Sequence, residues 1–216
     1  MRPAVVVSVA FVLACSTDPT ARYRSVGNPS EDAFVSAAAS GDRAAINANV
    51  HLSRNDGWNA LIAAAEAGRR DAVRRLLDAG AERGADPVLA GADGWTPLMA
   101  ASRRADVEMV MALLAAGANL NARNVERWTP LMAALQAGHQ ATSEALLDGG
   151  ADANAATSTG WTPLMDAANQ GDTGLVTLLV ERGANPGARN RDRATAITYA
   201  QRKGHTAVVG LLRGAR

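Results

Sequence analysis

One phrase recurs along the chain at a fixed interval. Gly-Trp-Thr-Pro-Leu-Met stands at Gly94–Met99 and at Gly160–Met165, and Arg127–Met132 carries it with Arg in place of Gly. Trp95, Trp128 and Trp161 therefore follow one another at a spacing of 33. Self-similarity at that period specifies a stack of small helical units, each burying its apolar side on its neighbours, rather than a globular enzyme core. The expected architecture is all-α, a solenoid with an elongated binding surface. By length alone, 216 residues would make one or two ordinary domains, but a solenoid is one continuous body.

Placing each tryptophan at the head of a row brings the remaining sequence into columns. Trp58, Trp95, Trp128 and Trp161 head four rows, Ala194 a fifth, and Glu31 a sixth at the front. One step on stand Asp32, Asn59, Thr96, Thr129, Thr162 and Thr195, all residue types that cap a helix N-terminus. Pro97, Pro130 and Pro163 follow, where the missing N–H of a first helical residue costs nothing. Apolar side chains lie three after the row head and alanine six after in every row, Ala37 to Ala200, which traces one face of a short helix. Ten after the head come Gly41, Gly68, Gly138, Gly171 and Gly204, with Ala105 as the exception. A chain turning there into a second helix calls for a positive φ. Aliphatic pairs such as Leu76-Leu77, Leu113-Leu114 and Leu146-Leu147 mark that second helix, and Gly117, Gly150 and Gly183 cap its end.

These columns resemble the ankyrin repeat closely, from about Ser30 to Arg213. That family's pattern, Gly-x-Thr-Pro-Leu-His-x-Ala-Ala-x-x-Gly-His with a later Leu-Leu and Gly-Ala, maps onto the inner rows. The resemblance implies about six helix–turn–helix units, including N- and C-terminal caps, joined by hairpin fingers. It also implies a concave face made of fingers and first helices. One departure is Met99, Met132 and Met165 where the family has His, so hydrogen bonds made by that His are lost or replaced. Two rows are irregular. Trp58 to Trp95 is four residues too long, with the excess within Asp78–Arg83, which either adds a turn to the second helix or loops out. The front row is short and resembles a cap with an abbreviated second helix.

The N-terminus has a different composition. Arg2 precedes an apolar run from Ala4 to Cys15, too short to span a bilayer but suited to a secretory signal. Val12-Leu13-Ala14-Cys15 resembles the lipobox of bacterial lipoproteins, in which the chain is cut before the cysteine and its thiol is acylated. The usual position of the Leu is one residue earlier, and an ordinary signal cut after Ala14 is the rival. Cys15 is the sole cysteine, so it has no disulfide partner, and lipidation accounts for both its uniqueness and its place. The implied organisation is a signal peptide at 1–14, a lipidated Cys15 with a polar tether to residue 29, and a repeat domain at 30–216. The implied place is the bacterial cell envelope, lipid-anchored, with a secreted or periplasmic soluble form as the alternative.

The functional reading follows from what the columns leave free. Formal net charge is +1, so no whole-chain field attracts nucleic acid. No Gly-rich phosphate loop precedes a Lys, no His-Glu-x-x-His run occurs, and His139 and His205 sit two rows apart, too far to share a metal. No cofactor, metal or enzyme activity is expected. The tryptophan column either braces the fingers or grips a partner, uses that are compatible. Concave positions are small at Ala63, Ala100 and Ala133 but large and polar in the last two rows. Partner-binding residues are therefore expected in the C-terminal half: Trp128, Trp161, Glu126, Arg127, Asp166, Asn169, Tyr199 and Arg202. From Arg182 onward eight basic residues face Asp192 alone, either a solvated cap or a surface for an acidic partner. The whole predicts a monomeric, envelope-anchored module that binds an unidentified protein and touches membrane only through its lipid. An inhibitor or immunity-type protein masking a toxin or enzyme is the alternative.

Overall fold

The computed structural model describes residues 36–42, 44, 54–81, 90, 91 and 93–215. The signal, Cys15, the tether, the head of the front row, its second half and the segment around Gly84 lie outside the described residues. Among those described, every regular element is a helix. Residues 36–40 are helical, followed by five antiparallel pairs. The pairs are α1 (Arg54–Glu66) with α2 (Arg70–Ala81), α3 (Pro97–Arg103) with α4 (Val107–Ala115), α5 (Pro130–Gln136) with α6 (Gln140–Asp148), α7 (Pro163–Gln170) with α8 (Thr173–Glu181), and α9 (Ala196–Lys203) with α10 (Thr206–Gly214). First helices pack on first helices and second on second, so two layers run the length of the stack.

The start of each inner repeat is set by its Thr-Pro pair. The hydroxyls of Thr96, Thr129 and Thr162 accept the N–H groups of Met99, Met132 and Met165 at 3.2, 3.3 and 3.3 Å. The proline that follows cannot lie inside a helix, because its ring blocks the carbonyl four residues back. Row one lacks that proline, and here the expected cap at Asn59 is wrong. With Ala60 in its place nothing stops the helix, and α1 runs back through Asn59 and Trp58 to Arg54. At Thr195 the cap takes another form, its N–H donating to the Thr198 hydroxyl at 3.3 Å. Met99, Met132 and Met165 keep only their main-chain role in the cap, since their side chains are fully buried.

The alanine column does what its constancy suggests. Ala64, Ala101, Ala134, Ala167 and Ala200 are inaccessible to solvent, letting neighbouring first helices meet closely. Leu98, Leu131 and Leu164 fill the space beside them, and Val110, Leu113, Leu146, Val176 and Leu179 close the second layer. Each such aliphatic contributes about 1.5–3 kcal/mol. The turn glycines adopt the expected left-handed φ, and so does Ala105, at φ 60°. Three of the four extra residues of the long row lengthen its second helix, α2 having 12 residues against 9 in α4.

Adjacent repeats are further tied by a ladder the columns did not disclose. A first helix ends with carbonyls that have no partner of their own. At every joint among the described repeats, a side chain from the next repeat reaches a carbonyl at that end, and at Leu135 it joins the Gly138 N–H already bonded there. Arg69 Nε donates to Ala39 O at 3.1 Å, Arg104 to Glu66 O at 2.7 Å and Gln170 to Leu135 O at 2.7 Å. His139 Nε2 meets Arg103 O at 3.0 Å and His205 Nε2 meets Asn169 O at 3.1 Å. Both histidines are thereby structural. Three residue types, each offering an N–H, fill one role.

Candidate functional site

Between consecutive repeats the chain makes a short hairpin finger. Each finger closes on its row head: Asn124 N–H donates to Trp128 O at 3.1 Å, Thr157 N–H to Trp161 O at 2.9 Å and Asn190 N–H to Ala194 O at 3.1 Å. A side chain on the same residue returns the bond, Asn124 Oδ1 accepting from Trp128 N–H at 2.8 Å and Thr157 Oγ1 from Trp161 N–H at 3.1 Å. Fingers are linked in turn by Val125 N–H to Asp93 O, Ser158 N–H to Glu126 O and Arg191 N–H to Thr159 O, at 3.0, 2.9 and 2.9 Å. Trp95, Trp128 and Trp161 thus stand on a continuous hydrogen-bonded ledge beside the first helices.

A groove of about 380 Å³ opens on this ledge. Its walls are Glu126, Trp128, Gln136, the finger Thr157-Ser158-Thr159, Trp161 and Asp166. Four of the eight expected residues, Trp128, Trp161, Glu126 and Asp166, come together there. Tyr199 buttresses the site from behind, its ring centroid 4.6 Å from that of Trp161 at 61°, while its hydroxyl accepts from Asn190 Nδ2 at 2.7 Å. The Arg202 guanidinium sits over the Tyr199 ring, 5.8 Å from its centroid. Arg127 and Asn169 do not line the groove. Arg127 occupies the finger turn at φ 66°, exposed, and Asn169 offers its main-chain carbonyl to His205. Gln136 and the Thr157–Thr159 finger were missing from the expected set. Gln136 stands eight after its row head, in the same column as Arg103 and Arg202. The finger carries no side-chain signal beyond polarity, and its part depends on how one hairpin leans over the next.

Asp166 is the chemical centre of the groove. One carboxylate oxygen accepts from Trp161 Nε1 at 3.3 Å and the other from Gln170 Nε2 at 2.9 Å. Burial pushes its pKa above the ordinary range, an effect partly offset by those two hydrogen bonds. Among the described residues neither Asp166 nor Glu126 enters an ion pair. The neighbouring repeat is arranged differently. There the Arg103 guanidinium lies 5.3 Å from the Trp95 ring and pairs with Glu66 at 3.0 Å. Among the described residues no group of three or more His, Cys, Asp or Glu is placed to hold a metal ion.

The family comparison agrees with this geometry. A family model described as ankyrin repeats (3 copies) matches residues 11–124, 82–157, 118–190 and 144–216. No curated protein matches the chain.

Proposed function

The chain belongs to the ankyrin-repeat family, whose repeats serve as protein–protein interaction scaffolds and are generally non-enzymatic, and from that premise we propose that it captures a partner protein at the cell envelope of a bacterium. The partner docks on the C-terminal half of the concave face, across the Trp128–Trp161 groove. One observation carries the reading: the groove joins two half-exposed indoles, two carboxylates and a polar finger on a hydrogen-bonded ledge. Binding hot spots favour such aromatic anchors, and truncating one typically costs about 2 kcal/mol or more. Anchoring is assigned to acylated Cys15, with the polar stretch behind it as tether. Each buried methylene of an acyl chain adds about 0.8 kcal/mol of membrane affinity, so several chains hold the protein firmly.

A photo-crosslinking residue at Ser158 tests the docking site, with the same residue at exposed Gln140 on α6 as control. A discrete adduct in intact cells from Ser158 alone supports the reading. Adducts from both positions, or from neither, refute it. Anchoring is tested separately. Cys15→Ser should release the protein from membranes, and a mature form starting at Cys15 without acyl mass would refute that half.

A further inference from the structure

The groove's charge is unmatched, and the chain shows elsewhere what matches it. Around Trp95 the chain uses its own Arg103, face-on to the indole at 5.3 Å and bonded to the Glu66 carboxylate at 3.0 Å. Eight residues after the next row head, where Arg103 would recur, stands Gln136, a neutral side chain on the groove wall. Carboxylate and indole are present there, in Asp166, Glu126, Trp128 and Trp161, and the guanidinium is not. Nor do nearby arginines reach in. Arg127 does not line the groove, and Arg202 is engaged on the Tyr199 ring. A half-buried carboxylate bonded only to neutral donors is held at an electrostatic cost that a cation would remove. Aromatic faces attract the same cation, and among side chains the planar guanidinium best combines stacking with bonds to a carboxylate.

The geometry points to an arginine side chain of the partner protein as the occupant of the Trp128–Trp161 groove, stacked on indole and bonded to Asp166, with Glu126 at the rim. This rests on the groove being the docking face and names the chemistry of what docks. Arg103 on Trp95 shows the same combination of guanidinium, indole and carboxylate within the chain, with Glu66 supplying the carboxylate from a different column than Asp166. It also gives Gln136 a function, because an arginine at that position would fill the site from within.

The test uses the full chain in detergent, labelled with fluorotryptophan, so that each of its four tryptophans gives a fluorine resonance assigned by Trp→Phe replacement. The probes are acetyl-arginine amide, its neutral isostere acetyl-citrulline amide, and acetyl-lysine amide. The arginine probe should shift the Trp128 and Trp161 resonances saturably, with a dissociation constant on the order of millimolar, as befits one side chain. The citrulline and lysine probes should bind about tenfold more weakly or worse. Asp166→Asn should weaken the arginine probe about tenfold, the worth of one charge-assisted hydrogen bond, while leaving the Trp95 resonance in place as evidence of an intact fold. Gln136→Arg should abolish probe binding from within. The proposal is overturned by an absent or unsaturable response, by citrulline or lysine binding as well as arginine, or by indifference to both substitutions. Should that happen while Ser158 still crosslinks a partner, the docking face stands and only its chemistry is wrong. If Ser158 crosslinks nothing, the docking face itself is lost.

Discussion

Ala105 sits in a backbone conformation that its side chain disfavours. It occupies the turn between α3 and α4 at φ 60°, where the corresponding Gly138, Gly171 and Gly204 lie at 73°, 80° and 77°. A left-handed conformation costs an L-residue about 1–2 kcal/mol, since Cβ crowds the following carbonyl. Replacing Ala105 by Gly removes that strain. The same replacement loosens the unfolded chain, which returns about 0.4–1 kcal/mol. Ala105 is exposed, so little buried area is lost with its methyl. The net expectation is a stabilisation of roughly 0.5–1 kcal/mol, or about 1–4 °C in melting temperature for a body of this size. Urea denaturation at unchanged m-value is the cleaner assay, because a shift in midpoint alone then reports stability. Gly204→Ala is the mirror experiment. A Cβ there meets nothing within 4 Å, so the substitution isolates the conformational cost and should lose about as much as Ala105→Gly gains. If Gly204→Ala is destabilising while Ala105→Gly is neutral or worse, the strain argument fails.

Three further outcomes follow from the same contacts. Gly171→Ala should be much worse than Gly204→Ala, at roughly 3 kcal/mol, because its Cβ would stand 2.6 Å from His205 Nδ1 and push the ring off Asn169 O; equal effects in the two variants would contradict this. Gln170→Met removes one of two donors to Leu135 O, which keeps the Gly138 N–H at 2.9 Å, together with the bond to Asp166, and should cost about 0.5–1.5 kcal/mol, the net worth of a hydrogen bond whose acceptor stays satisfied; a neutral result by denaturation refutes it. Burial holds the Asp166 pKa above its unfolded value, so the folded protein binds that proton more tightly than the unfolded chain. Relative to Asp166→Asn, the wild type should therefore gain stability as pH falls through the folded pKa to about 4, where the full gain is reached; a difference that does not change with pH refutes it.

The repeat could be read from the chain because its constant columns each answer a local, one-residue demand. A threonine hydroxyl caps, a proline bars backward extension, an alanine admits a neighbouring helix, and a glycine takes positive φ. Such demands leave a residue type at a fixed interval. Where the demand can be met in several ways, the column becomes illegible. Arg69, Arg104, His139, Gln170 and His205 all bind a carbonyl of the preceding repeat, yet three residue types and two register positions hide that shared role. The error at Asn59 has a related cause. A cap residue specifies a helix start only where something forbids the residues before it from being helical, and row one has Ala60 where the inner rows have proline.

The site was half legible for the opposite reason. Tryptophan and aspartate announced themselves as large or charged side chains in columns the family places on its inner face, and both lie in the groove. Arg127 shared that signal and lies outside the groove, because its backbone occupies the left-handed finger turn rather than the ledge. Thr157, Ser158 and Thr159 lacked the signal and line it, because hairpin-to-hairpin bonds such as Ser158 N–H to Glu126 O set where a finger lies. The most informative residue on the groove wall is then the least conspicuous in sequence. Gln136 stands between Arg103 and the last two rows in a column that holds a guanidinium at Arg103 and again at Arg202. In both places that guanidinium lies against an aromatic ring of its own row, Trp95 or Tyr199. A repeat stack uses one backbone many times, so a contact satisfied internally in one row and left open in another marks where the molecule has room for someone else's side chain.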